Sequence, residues 1–164
     1  MDPRLARALA ALTTGIYVLT VRDGDRRHGM SSSWVTQASG DPPLVLAAVD
    51  RRHFTHEILA RTRRFALNVV GQHHRHHEDY FYSPASRRPD NLDKVTWDDS
   101  PQGLPVLRDA MVSLECRVEQ AINAGDHTLF VAAIERVLWH HDDRPVTSQD
   151  LDYVYVGEVV PRPT

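Results

Sequence analysis

Two long runs of strand-forming residues, Met111 to Ile122 and Thr128 to Trp139, flank the turn sequence Asn123-Ala124-Gly125-Asp126. Strands joined by a turn pair antiparallel, because a parallel pair needs a long crossover connection between them. The rest of the chain repeats the pattern. Ile16 to Val21, the turn Asp23-Gly24-Asp25 and His28 to Thr36 read as a hairpin over residues 16–36. Asp41-Pro42-Pro43 breaks the chain, Leu44 to Val49 reads as a buried strand, Phe65 to Val70 as another, and Tyr153 to Val160 as the last. An antiparallel barrel is therefore expected in preference to a doubly wound parallel sheet.

Helices are few and short. Leu5, Leu9 and Leu12 fall at i, i+4 and i+7, which predicts an amphipathic helix ending near Gly15. A second helix is predicted from Thr55, as N-cap, to Arg63 or Arg64, and residues 72–82 are helix-compatible. Residues 83–105 hold four prolines and read as one long irregular connection, of the kind that often carries function.

At 164 residues, with 41% hydrophobic and 25% charged residues, the chain suits one folded domain spanning residues 1–164. No apolar run approaches the ~20 residues of a membrane helix. The N-terminal residues lack a secretory pattern, so a cytoplasmic protein is expected. The net charge of −3 gives no support to nucleic-acid binding, and Arg61, Arg63 and Arg64 read as a solvated helix end. The lone Cys116 cannot form an internal disulfide and sits in a strand-like alternation, as a buried inert thiol would. Arginine outnumbers lysine 18 to 1, Lys94 being the exception.

Four segments can carry chemistry. Gly29-Met30-Ser31-Ser32-Ser33-Trp34 offers consecutive hydroxyls, either as donors to a phosphate or ring edge or as an exposed edge strand. Asp50-Arg51-Arg52-His53-Phe54-Thr55 stands at a strand end and helix start, suited to an anion or simply a capped helix. Both flank the strand Leu44 to Val49, so they can converge at one end of a barrel. His127 lies at a strand junction, where a surface role is the alternative to a functional one. The tract His73-His74-Arg75-His76-His77 has metal-ligand spacing, but no acid or cysteine is visibly placed to complete a shell; a solvated helix is expected and no metal is assigned. Walker, dinucleotide, nucleophile-elbow and zinc-protease motifs are absent.

Taken in order, GMSSSWVTQASGDPP from Gly29 to Pro43, FALNV from Phe65, Leu114-Glu115-Cys116 and AGDHTLFV from Ala124 resemble the flavin reductase family of FMN-binding split barrels. The resemblance spans roughly residues 10–160. It implies a six-stranded antiparallel Greek-key split barrel, mainly β with short helices, that forms a homodimer. It also implies FMN or FAD as the flavin, NADH or NADPH as co-substrate, and a flavin-dependent monooxygenase as partner. By position, Met30, Ser31, Ser32, Ser33 and Trp34 would lie along the flavin and Ala48, Val49 and Asp50 would approach its ring. Arg52 and Thr55 would hold phosphate, Lys94 would lie near the flavin or the dimer interface, and His127 would act in catalysis. Ala133, where the family often has Gly, and the Arg-Arg-His-Phe-Thr turn depart from the pattern. Nicotinamide and flavin carry the reactive bonds in such chemistry, so no side-chain nucleophile is required. The alternative is an electron carrier that holds FMN tightly without strong reductase activity; a haem or pyridoxal-phosphate protein on a related barrel is a third reading.

Overall fold

The computed structural model describes residues 1–83 and 87–162. Helix α1 (Pro3–Ala10) is capped by Asp2, whose carboxylate accepts the Arg4 N–H at 2.7 Å, and opens on Pro3. It stops short of Gly15 and buries Ala6 and Ala10 against Val154 and Val156, leaving Leu5 and Leu12 52% and 63% exposed. Of the expected leucine stripe only Leu9 packs against this cluster, and two alanines let the helix approach closely.

Strands β1 (Tyr17–Asp23) and β2 (Arg26–Ser32) form a hairpin whose first loop residue, Gly24, has φ +59°. That value is strained for a side chain with a Cβ and suits glycine. The expected strand 28–36 divides here. It ends at Ser32, and after Ser33 and Trp34 the chain begins β3 (Val35–Gly40), which pairs with β4 (Pro43–Asp50). Helix α2 (Phe54–Thr62) is capped by His53 in place of the expected Thr55: Nδ1 of His53 accepts the Thr55 N–H at 3.3 Å. There follow β5 (Arg64–Val69), a single 3₁₀ turn, and α3 (His76–Tyr82). The predicted irregular connection holds a small hairpin, β6 (Trp97–Asp99) with β7 (Pro105–Leu107), and its residues 84–86 lie outside the described residues. Strands β8 (Val112–Ala124) and β9 (His127–Trp139) form the long hairpin, turning at Gly125, φ +60°. Instead of joining the sheet, the last segment makes a ribbon of β10 (Tyr153–Tyr155) and β11 (Val159–Pro161).

The main sheet has seven strands in the order β2-β1-β5-β8-β9-β4-β3, each neighbouring pair antiparallel, where six were expected. Its edge strands, β2 and β3, are consecutive in sequence. Three virtual bonds from Ser32 to Val35 reach at most roughly 11 Å, so the two edges must meet there and the sheet must curl. The Ala48 N–H, donating to the Trp34 carbonyl at 2.9 Å, fastens that corner.

Inside the curl, Leu19, Val49, Phe65, Leu67, Cys116 and Phe130 pack with Ile58 and Leu59 of α2. Fully burying a large apolar side chain stabilises by roughly 1.5–3 kcal/mol. A second cluster, including Val18, Phe81, Leu92 and Leu107, seats α3 on the outer face. Asn68 of the FALNV strand is fully buried: its amide donates to Val18 O and Thr20 Oγ1 and its carbonyl accepts from Leu107 N and Ser113 Oγ, tying four segments together. The Cys116 thiol is buried and pushed up to about 12, chiefly by that burial, as an inert thiol should be.

Candidate active site

The closed corner borders a cleft of about 990 Å³, at the upper end of the 300–1,000 Å³ range of ligand pockets. Its walls come from the end of β2, the Ser33–Trp34 link, the ends of β4 and α3, the starts of α2 and β9, and the ribbon strand β10. Of the residues singled out in the sequence, Met30, Ser31, Ser32, Ser33, Trp34, Ala48, Asp50, Arg52 and His127 line it.

Three do not. Val49 points into the barrel core, fully buried. Thr55 is also fully buried and its hydroxyl lies 2.7 Å from His28 Nδ1, so this side chain braces α2 against β2 and is not presented to a phosphate. Strand alternation explains Val49: Ala48 and Asp50 face one way and it faces the other. Lys94 is exposed on the connection before β6 and outside the cleft lining.

Register places Asp50 opposite His127 across β4 and β9. Asp50 is bound bidentately by Arg52, with Nη2 to Oδ2 at 2.8 Å and Nε to Oδ1 at 3.2 Å, and that guanidinium holds the carboxyl down at about 2. Arg51 donates to Gly125 O at 2.5 Å, fixing the hairpin tip beside the start of α2. His127 is buried, and its Nδ1 lies 2.6 Å from Asp126 Oδ1. Asp126 thereby favours a proton on Nδ1 and leaves Nε2 as the free polar atom of the ring. The Trp34 ring lies 4.6 Å from His127 and 5.2 Å from Tyr155, centroid to centroid, forming an aromatic wall.

Several cleft residues escaped the sequence reading. Glu78 of α3 is buried, receives hydrogen bonds from Ser31 Oγ and from Tyr153 OH (2.9 Å), and burial raises its pKa. Burial and the neighbouring Glu78 charge raise Tyr153. Tyr82, stacked on Tyr153 at 5.2 Å, and His53 of the already noted β4–α2 turn, its pKa lowered by burial, complete this side. Two signals were present: the alternation Tyr153-Val154-Tyr155-Val156, with tyrosines on one strand face, and the i, i+4 pair Glu78 and Tyr82 on one helix face.

A planar, partly apolar ligand with an anionic tail fits this donor set. Ser32 Oγ is buried and without a hydrogen-bond partner among the described residues, and so calls for a ligand atom. Aromatic rings flank it, and Arg52 and Arg87 border the cleft.

A family model, the flavin reductase like domain, matches residues 9–158. The chain belongs to the flavin reductase-like family. It is 34% identical over 136 residues to the NADH-dependent flavin reductase StyB of Pseudomonas fluorescens, covering 78% of this chain and 73% of that one. Among solved structures, the NADH:FAD oxidoreductase SgcE6 of Streptomyces globisporus superposes with a TM-score of 0.80 at 28% identity, covering 90% of both chains. BorF, the flavin reductase component of a bacterial two-component tryptophan halogenase, gives 0.80 at 26% identity, covering 100% of this chain and 99% of that one. Longer proteins match too: the chain spans only 22% of the length of diflavin flavoprotein A 3 of Synechocystis, at 30% identity. No helix among the described residues is long and apolar enough to cross a membrane.

Proposed function

We propose that this member of the flavin reductase-like family is an NAD(P)H-dependent flavin reductase that moves hydride from nicotinamide to FMN or FAD and supplies reduced flavin to a partner monooxygenase. The observation that carries the reading is the cleft itself, where a buried, unpartnered Ser32 hydroxyl, an aromatic wall and arginines converge at the barrel's closed corner. SgcE6 has been solved with NAD and FAD fragments, which supports the same pair of ligands here. Bound flavin supplies the hydride-accepting ring, so the chain's task is to bind and orient.

Trp34, backed by His127 and Tyr155, sets the plane in which a flat ring can lie. Ser31, Ser32 and Ser33 offer hydroxyls to polar ring edges and to a ribityl chain, Ala48 permits close approach, and Met30 covers the apolar side. Arg52, 80% exposed although paired with Asp50, can reach an anionic tail near the start of α2. His127, held by Asp126, stands where its Nε2 can orient nicotinamide. Cys116 takes no part.

The proposal treats residues 1–164 as one flavin-binding unit with the Greek-key connectivity of a split barrel, working as a homodimer. Leu5, Leu12 and Ile122, 52%, 63% and 47% exposed in the single chain, support a partner copy. A cytoplasmic location follows from the need for reduced nicotinamide. The carrier alternative is favoured by the occurrence of this domain inside diflavin flavoproteins.

Purified protein is expected to consume NADH or NADPH under air when FMN or FAD is added. No oxidation with any of the four combinations overturns the reductase reading. Flavin retained at one per chain through gel filtration, with slow nucleotide turnover, decides for the carrier.

A further inference from the structure

About 100° around α3 from Glu78, the preceding residue His77 points into a different environment. Its side chain is 3% exposed, and neither Nδ1 nor Nε2 has a hydrogen-bond partner among the described residues. A buried polar group left unpaired is destabilising, and here one ring carries two. Around it stand His74 from the 3₁₀ turn, His76 from the start of α3, and Asp109 from the turn between β7 and β8. One ligand atom from each of the four lies within 4.8 Å of the others.

The spacing has the form of a coordination shell. Asp109 Oδ2 is 3.7 Å from His77 Nε2 and 4.0 Å from His74 Nδ1, too long for hydrogen bonds. In a tetrahedral site with bonds of about 2.0–2.2 Å, ligand atoms sit roughly 3.3–3.6 Å apart, so the two Asp109 separations need only a small contraction, and the set as a whole, within 4.8 Å, must draw in further. Arg75, whose charge would oppose a cation, is turned away: its guanidinium donates to Asp150 O at 2.8 Å. The tract is thus no uniformly solvated helix, and Asp109 is the acid that sequence inspection could not place.

We propose that His74, His76, His77 and Asp109 form a binding site for one divalent transition-metal ion, with zinc the best match to three imidazoles and a carboxylate. The ion would join the segment before α3 to the β7–β8 turn, two stretches separated by more than thirty residues. Because Glu78 follows His77, it would also brace one wall of the cleft. Binding of the ion does not depend on the flavin-reductase reading, and its test needs no flavin.

Metal-free full-length protein is titrated with zinc chloride by calorimetry and with cobalt chloride by absorption spectroscopy. One ion per chain is expected, with Kd below about 1 μM and the intense visible bands of four-coordinate cobalt. His77→Ala removes a buried ring and can unfold the chain, so the deciding variants are at less buried positions. His76→Ala and Asp109→Asn should each weaken zinc by at least ~10-fold. His73→Ala should bind as the parent does, since the His73 ring pairs with Asp143 at 2.9 Å outside the set. At a hundredfold excess over Kd, zinc should raise Tm by about 5–10 °C. Failure to saturate at one ion per chain, or equal losses in His73→Ala and His76→Ala, overturns the proposal and marks the tract as an adventitious chelator.

Discussion

The cleft and the histidine pocket lie on two sides of α3 and, the Ser32 hydroxyl apart, treat their polar groups in opposite ways. In the cleft, Asp50 is answered by Arg52, His127 by Asp126, and Glu78 by Ser31 and Tyr153. In the pocket, both nitrogens of His77 are unanswered among the described residues, and Asp109, whose Oδ2 accepts from Thr96 Oγ1 at 3.4 Å, stands at ion-pair distance from His77 without a hydrogen bond to it. Internal pairing holds side chains in place before a ligand arrives, so a large ligand meets a surface that need not reorganise. Unpaired buried nitrogens instead leave a local cost that a bound ion would remove. The same helix thus borders a preorganised surface on one side and an incomplete shell on the other.

The largest expected effect removes the shared wall. Asn91 is fully buried; its side chain accepts from Gly29 N at 2.8 Å and donates to Gly29 O at 2.6 Å, while its own carbonyl accepts from Tyr80 OH on α3 at 2.7 Å. Asn91→Ala orphans both backbone groups of Gly29 and should cost about 2–4 kcal/mol in urea unfolding. Gly29→Ala acts on the same joint from the other side. A Cβ there would lie 2.5 Å from Phe81 Cε1, an overpacking expected to cost about 1–3 kcal/mol. Unaltered unfolding midpoints in both variants would show that α3 is not seated by this contact.

Next come changes confined to the cleft. Trp34→Ala and His127→Ala should each lower kcat/KM for nucleotide oxidation by about 10–100-fold, or roughly 1.4–2.7 kcal/mol, while leaving zinc affinity as in the parent. A parallel loss of zinc binding would mean that the two regions are one coupled unit. Wild-type kinetics in His127→Ala would return that ring to a purely structural place at the hairpin tip.

A smaller effect separates the regions by pH. Neutral His53 caps α2 through Nδ1, and burial lowers its folded pKa below the ordinary 6.5. As pH falls through 6.5 the unfolded chain takes up the proton before the folded one does, so stability is lost on acidification. Between pH 7 and 5 that loss should be on the order of 1 kcal/mol. His56 and His140, lowered mainly by burial, add in the same direction. His53→Asn keeps a capping side chain but cannot titrate, and its stability profile over this range should be flatter. An identical slope would remove His53 from the account.

Most of the strands were legible because strand composition and turn chemistry coincide: Gly24 and Gly125 sit where a positive φ is needed, and β4 begins at the expected proline break. The split of residues 28–36 was not, since both halves have strand composition and only barrel closure decides where the chain changes partners. For the site, the serine run and the β4–α2 turn converge as their shared strand suggested. Thr55 misled because a threonine before a helix resembles a cap, while its actual partner, His28, comes from 27 residues away. Glu78 and Asp109 were invisible for a similar reason: an acid becomes notable only once the fold brings it to Ser31 or to His77.

The smallest expected effect concerns the one lysine among eighteen arginines. Were Lys94 held for its compact ammonium, the structure should give it something that a planar fork cannot reach. Among the described residues it has no ion pair or hydrogen bond, it is exposed, and it lies outside the cleft lining. Lys94→Arg should therefore change stability by no more than about 0.5 kcal/mol and leave flavin affinity and turnover at the parent level. Lys94 does not line the cleft of its own chain, and sedimentation of the variant distinguishes a place at the dimer interface from chance retention. A shift toward monomer would place Lys94 between copies. An unchanged association constant would leave it a surface residue, independent of both the cleft and the histidine pocket.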